Sequence, residues 1–141
     1  MTYFFEDFSP GRVFELGART LSEREIVAFA ADWDPQEIHT GSGEGLIASG
    51  WQTCGMAMRL VCDGILDGSE SFGSPGLAYL KWENPVRPGD KLYVTVDVKE
   101  RRVATSRPTL GIVRWRWQVS NQLATPVLDL EATSLFEISA E

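Results

Sequence analysis

Residues 48–66 read ASGWQTCGMAMRLVCDGIL and predict a long helix over Ser49–Leu66. Apolar side chains recur along it at steps of three and four residues, and only Gln52, Arg59 and Asp63 form a narrow polar line. A helix that is apolar on most of its sides is buried inside a protein rather than laid on its surface. We therefore expect the rest of the chain to wrap around this helix.

The sequence on either side predicts one further helix and a set of strands. Ser22 and Glu25 form a capping box that begins a helix, which must end at Asp34 because Pro35 follows. Alternating apolar and polar residues predict strands near Val13–Leu16 and over residues 77–86, 92–98, 113–119 and 126–136. Two helices and a series of long antiparallel strands predict an α+β fold, with the sheet curled around the buried helix. Residues 1–141 are predicted to form a single domain.

The composition excludes several classes of function. The 141 residues are 43% hydrophobic and carry a formal net charge of −7, which argues against nucleic acid and anionic membranes as partners. No apolar run is long enough to span a bilayer, and the first residues are acidic where a signal peptide would be basic, so we expect a cytoplasmic protein. Cys54 and Cys62 lie too far apart on one predicted helix to form a disulfide. With a single histidine in the chain, no metal site is expected.

Asp34 and His39 are the strongest candidates for catalysis. They lie five residues apart in the segment DPQEIH, which Pro35 should hold as a rigid, non-helical turn after the first helix. A carboxylate beside an imidazole supplies two groups that carry protons, and histidine exchanges protons near neutral pH. The spacing alone is equally compatible with a loop histidine and an aspartate that only ends a helix.

Gly50 is the second candidate because it stands at the start of the buried helix. The N-terminus of a helix presents unpaired N–H groups and a partial positive charge, which stabilise a carbonyl oxygen as it gains negative charge. Glycine also lets a ligand approach the backbone closely. Ser49 and Trp51, on either side of Gly50, are the predicted substrate-binding residues. The alternatives are an ordinary glycine at a loop–helix junction and a serine that only caps the helix.

Four segments carry a resemblance to a known family, and in chain order they are FFEDFSPG (4–11), TLSEREIVAFAADWDPQEIH (20–39), GLIASGW (45–51) and SPGLAYLKWENPVRPGD (74–90). Together they resemble the MaoC-like dehydratases, relatives of the (R)-specific enoyl-CoA hydratases, from about residue 4 to about residue 135. The resemblance implies the hotdog fold, in which an antiparallel sheet wraps a long helix. It also implies that Asp34 and His39 are the catalytic aspartate and histidine of that family and that Gly50 supplies its oxyanion site.

The resemblance implies an enoyl-CoA hydratase or 3-hydroxyacyl-CoA dehydratase without cofactor or metal, in which coenzyme A is part of the acyl-CoA substrate. It also implies a homodimer or a larger homo-oligomer. Two other functions remain open. One is an acyl-CoA thioesterase, although the predicted helix has no acidic residue in its first three turns, and the other is a non-catalytic protein that binds acyl thioesters. The segment Thr40–Gly45 is shorter than in relatives and rich in glycine, so we expect it to be mobile and to leave the pocket beside His39 more open.

Overall fold

The structure is a computed structural model and describes residues 1–41 and 43–138. In these residues the helices are α1 (Glu23–Trp33), α2 (Glu37–Thr40) and α3 (Gly50–Val61), and the strands are β1 (Val13–Thr20), β2 (Ser71–Lys81), β3 (Lys91–Val103), β4 (Leu110–Ser120) and β5 (Pro126–Glu137). A π-helical turn over Cys62–Leu66 prolongs α3, so the predicted extent of this helix is confirmed.

The five strands form one antiparallel sheet in the order β1-β3-β4-β5-β2. The core lies between one face of this sheet and α3. Its buried side chains include, from α3, Met56, Ala57 and Val61 and, from the central strands, Val96, Val113, Trp115 and Val119. The predicted α+β fold, with an antiparallel sheet packed around a helix, is confirmed.

α1 begins and ends where the sequence predicts. The Ser22 hydroxyl oxygen accepts a hydrogen bond from the Glu25 N–H, and Glu25 Oε1 accepts one from the Ser22 N–H, both at 3.1 Å, which is the predicted capping box. The helix ends at Trp33, and Asp34 has left the helical conformation with its N–H still bonded to the Ala30 carbonyl. Asp34 is thereby held at a fixed point at the end of a regular helix.

α3 is not buried all the way round, so that prediction is wrong. Trp51 and Met58 are 60% and 41% exposed, because the sheet covers one side of α3 and leaves an apolar face open beside β2. Gln52, placed by the sequence on the polar line, is buried instead, and its side-chain amide donates a hydrogen bond to the Glu25 carbonyl at 3.1 Å. None of the helices in residues 1–41 and 43–138 has both the length and the apolar character that crossing a membrane requires.

β2 runs from Ser71 to Lys81 rather than over the predicted residues 77–86. Its first half pairs with β5 in an irregular register around its glycines, a pairing that simple alternation does not reveal. The strand ends before Pro85, which has no N–H to donate to a neighbouring strand. Trp82 consequently lies just outside the sheet, in the segment that leads to β3. The other predicted strands are confirmed with longer extents.

Candidate active site

Asp34 and His39 meet just after α1, with Asp34 Oδ2 3.3 Å from His39 Nε2. His39 lies on α2, a single helical turn in which the Gln36 carbonyl accepts hydrogen bonds from the N–H groups of His39 at 2.8 Å and Thr40 at 3.0 Å. The expectation of a non-helical turn up to His39 is therefore wrong. Proline interrupts a helix that precedes it but tolerates one that starts after it, so the break in the chain lies between α1 and α2.

The His39 ring is held in one orientation. It is 6% exposed, and its Nδ1 lies 2.7 Å from the Ile47 carbonyl oxygen. Because a carbonyl oxygen can only accept, Nδ1 carries the hydrogen, and Nε2 of the neutral ring presents a lone pair towards Asp34. The Ile47 N–H donates in turn to the Ile38 carbonyl at 3.0 Å, which ties the segment before α3 to α2. Sequence reasoning missed Ile47 because it acts through its backbone.

The Asp34 carboxylate accepts a hydrogen bond from the Gln36 side-chain amide, with Nε2 2.7 Å from Oδ1. This bond is the main reason why the pKa of Asp34 is lowered, and the nearby Ser49 hydroxyl is the next. The Ser49 Oγ is fully buried and has no hydrogen-bond partner among the described residues. We therefore attribute its effect on the pKa of Asp34 to proximity and not to a formed hydrogen bond. Asp34 is therefore a carboxylate at neutral pH. Gln36 was missed as a site residue, although an amide two residues after an aspartate is a recognisable signal.

When the His39 ring is neutral, two acceptor atoms face each other, Oδ2 of Asp34 and Nε2 of His39. A water molecule that donates one hydrogen to each atom satisfies both. Removal of a proton from this water makes its oxygen a nucleophile.

A cavity of about 280 Å³ lies beside His39 and the start of α3. Gly50 is the first residue of α3 and lines this cavity together with His39. Among residues 1–41 and 43–138, the N–H groups of Gly50 and Trp51 have no protein acceptor, as is usual in a first helical turn. That turn carries no acidic residue, so no side chain in it offsets the positive end of the helix dipole. The cavity therefore combines the His39 imidazole with the unpaired N–H group of Gly50.

The two predicted substrate-binding residues occupy different places. Ser49 precedes α3 and is buried near Asp34, but its side chain makes no capping bond. Trp51 does not line the cavity beside His39. It borders instead a separate apolar groove of about 350 Å³ between α3 and β2, from which any contact with a substrate would have to be made.

Trp82 is a wall residue of the cavity that sequence reasoning missed. Its indole lies so close to Gly50 that a Cβ atom at that position would overlap the ring. It also packs edge-on against Trp51, with ring centroids 5.0 Å apart and an interplanar angle of 82°. The alternating pattern suggests that Trp82 is a strand residue, and nothing local in the sequence indicates its contact with α3.

Other reactive groups are few in the described part of the chain. It contains no group of three His, Cys, Asp or Glu side chains placed to hold a metal ion. Cys54 and Cys62 are free thiols, and burial raises the pKa of Cys54, which keeps it protonated. Of the Asp34–His39 pair, His39 lines the cavity, and Asp34 does not line it but lies 3.3 Å from His39 Nε2.

Comparison with known proteins identifies the family. A family model described as MaoC like domain matches residues 7–115. A MaoC-like dehydratase from Rhodospirillum rubrum is 32% identical and superimposes with a TM-score of 0.88 over 99% of each chain. The unliganded R-hydratase PhaJ1 from Pseudomonas aeruginosa shares the fold, with a TM-score of 0.73 and 22% identity over 96% of this chain and 86% of its own. YdeM, an uncharacterized protein of Bacillus subtilis (strain 168), is 27% identical over 94% of this chain and 97% of its own. The chain therefore belongs to the MaoC-like domain family and has the hotdog fold.

Proposed function

We propose that this protein adds water to the double bond of 2-enoyl-CoA thioesters or, in reverse, removes water from 3-hydroxyacyl-CoA thioesters. The observation that carries the proposal is the 3.3 Å contact between Asp34 Oδ2 and His39 Nε2 beside the start of α3. The R. rubrum and P. aeruginosa proteins are named a dehydratase and a hydratase, which supports the same reaction class. Coenzyme A enters as part of the substrate, and the proposed reaction uses no other cofactor and no metal.

The first requirement of this reaction is a polarised thioester. The β-carbon of an enoyl thioester accepts a nucleophile only while the thioester carbonyl draws electrons from the double bond. The unpaired N–H group of Gly50 is a donor for that carbonyl oxygen, and the dipole of α3 favours negative charge there. In this proposal Gly50 supplies the oxyanion site, and the buried hydroxyl of Ser49 is available as a further hydrogen-bonding group for water or substrate.

The second requirement is proton transfer in both directions. The Asp34–His39 pair removes one proton from the bound water while the water oxygen forms a bond to the β-carbon. The electrons of the double bond move towards the thioester oxygen and give an enolate. The pair then delivers a proton to the α-carbon on the same face, so one C–O bond and one C–H bond form. One water molecule is consumed, and the pair regains its starting protonation state.

A single assay separates this function from the two alternatives. The protein is incubated with a short 2-enoyl-CoA and, separately, with a saturated acyl-CoA. Loss of the absorbance of the conjugated enoyl group identifies a hydratase, and release of a free thiol identifies a thioesterase. Binding without either change identifies a non-catalytic binding protein. We expect the first result, because the first turn of α3 carries no carboxylate that could activate water for thioester hydrolysis.

We propose further that the protein is at least a homodimer, in which the β2 strands of two copies face each other. β2 is an 11-residue edge strand, and most of its side chains are exposed. Trp51, Met58 and Leu77 expose apolar surface beside it. Proteins usually cover such edges and patches, and a second copy would close the mouth of the groove between α3 and β2. A cytoplasmic location is part of the same proposal and agrees with the two free cysteines.

A further inference from the structure

We propose that Trp82 sets the upper limit on the length of the acyl chain that the site accepts, so that short-chain enoyl thioesters are the preferred substrates. The inference rests on the proposed hydration activity and goes beyond it by naming the substrate class and the residue that selects it. It is carried by the position of one indole ring between two cavities.

The Trp82 indole is fixed against the start of α3. The five-membered ring of the indole, including Nε1, lies over Gly50, where no side chain larger than hydrogen fits beside it. The indole N–H is also close enough to the Cys54 thiol to oppose, in part, the rise in that thiol's pKa caused by burial. The ring therefore covers the start of α3 at Gly50, next to the proposed oxyanion site.

This position makes Trp82 a partition. The cavity beside His39 is lined by Gly50 and Trp82 but not by Trp51, whereas the groove between α3 and β2 is lined by Trp51 and Cys54 but not by Trp82. The edge-on packing of the Trp82 and Trp51 rings separates the two spaces. An acyl chain that extends from a thioester bound at Gly50 therefore meets the indole before it reaches the groove.

The space behind the partition suits a hydrocarbon chain. Its lining is mostly apolar and includes Leu77, Leu80, Trp117, Leu130 and Ala132. Removal of the indole would take away one of the two rings that separate this groove of about 350 Å³ from the cavity of about 280 Å³ beside His39. Each methylene that moves from water into such a lining raises affinity on the order of fourfold. Loss of the indole should therefore favour long chains over short ones.

The test compares kcat/KM for four-carbon and eight-carbon 2-enoyl-CoA in the full-length protein. We expect the wild type to prefer the four-carbon substrate and Trp82→Ala to raise the eight-carbon to four-carbon ratio by about tenfold or more. Tyr93→Ala is the matched control, because Tyr93 is an aromatic residue on β3, is 43% exposed like Trp82 and borders neither cavity. This control should leave the ratio unchanged. Trp82→Leu, which keeps an apolar side chain, should shift the ratio in the same direction and replaces Trp82→Ala if the latter does not fold.

Two results would overturn the inference while leaving the hydratase proposal intact. One is a folded Trp82→Ala or Trp82→Leu protein with the wild-type ratio, and the other is a wild-type preference for the eight-carbon substrate. If the wild type hydrates neither substrate, the hydratase proposal fails. The partition is then tested on the dissociation constants of saturated four- and eight-carbon acyl-CoA by calorimetry. A higher affinity for the eight-carbon acyl-CoA relative to the four-carbon one on loss of the indole supports the partition. An unchanged ratio of the two dissociation constants overturns it.

Discussion

Asp34 Oδ2 lies 3.3 Å from His39 Nε2, and each residue is held from its far side by a hydrogen bond. The Gln36 amide donates to Asp34 Oδ1, and His39 Nδ1 donates to the Ile47 carbonyl. These outer bonds fix which atoms face each other. They leave one oxygen and one nitrogen of the pair available to a shared water.

The hydrogen bond from Gln36 to Asp34 leads to a prediction about how kcat/KM falls at acidic pH. The pKa of Asp34 is below its usual value, chiefly because of this bond, so the bond keeps Asp34 a carboxylate to lower pH. In Gln36→Ala the pKa should rise towards the ordinary carboxyl range, and the acid limb of kcat/KM should move to higher pH. Circular dichroism at each pH distinguishes this shift of the acid limb from a loss of activity caused by unfolding. Glu37→Gln is the control, and an identical acid limb in Gln36→Ala would show that this bond does not tune Asp34.

A second ionic group concerns stability rather than catalysis. Asp129 accepts two hydrogen bonds from Arg116, at 2.9 and 2.7 Å, and one from Tyr79 at 2.8 Å, which ties β2 and β4 to β5. These bonds lower the pKa of Asp129, and the bonds from Arg116 have the largest effect. Its contribution to stability is therefore complete above the unfolded-state pKa of about 3.9 and is lost as the pH falls through the lower folded-state pKa.

Asp129→Asn should consequently reduce the free energy of unfolding at pH 7 by about 1.5–3 kcal/mol, the usual range for hydrogen bonds to a charged group. The difference from the wild type should shrink below about pH 4. Chemical denaturation at both pH values measures it. Asp63→Asn, which breaks the exposed pair with Arg59, should leave the free energy of unfolding nearly unchanged. Equal effects of the two substitutions would show that the Asp129 cluster is no more than a surface ion pair.

The proposed dimer can be disrupted at one side chain. Leu77 is 49% exposed on the edge strand β2, so Leu77→Glu should place a charge between two copies and convert the protein to monomers. Sedimentation at micromolar concentration should give at least twice 15.7 kDa for the wild type. Val103→Glu, at a residue 47% exposed at the end of β3, should leave the assembly intact. A stable wild-type monomer, or a dimer that survives Leu77→Glu, would remove β2 as the interface.

The predicted mobile loop Thr40–Gly45 does not begin at Thr40, which lies on α2, and its Ser42 lies outside the described residues, so mobility remains a prediction for residues 43–45. We expect rapid amide exchange within residues 43–45, because three glycines in six residues give the loop large chain entropy and no apolar side chain to bury. The His39 and Ile47 amides on either side should be protected by their bonds to the Gln36 and Ile38 carbonyls. Hydrogen exchange monitored residue by residue checks both. Strong protection within residues 43–45 would mean a packed loop, and the more open pocket beside His39 would have to be abandoned.

The sequence predicts those features that short-range chemistry determines. The capping box of Ser22 and Glu25 defines where α1 begins, and Pro35 defines where it must stop, so both ends of this helix follow from neighbouring residues. Features set by distant residues could not be predicted. Gln52 looks like a surface residue until the Glu25 carbonyl, 27 positions away, accepts its hydrogen bond. Trp82 likewise acquires its position from the packing of the segment after β2 on the start of α3.

The most direct test of the account is the hydration rate of two single variants, Asp34→Asn and His39→Gln. Both keep the size of the side chain and remove its ability to exchange protons, and a general acid–base group typically contributes 10²–10⁴-fold. Asp32→Asn, an exposed aspartate on α1, is the matched control and should retain the wild-type rate. We predict that each site variant folds like the wild type and loses at least about a hundredfold in kcat on a short 2-enoyl-CoA. Wild-type turnover by both folded variants would contradict the assignment of Asp34 and His39 as the acid–base pair.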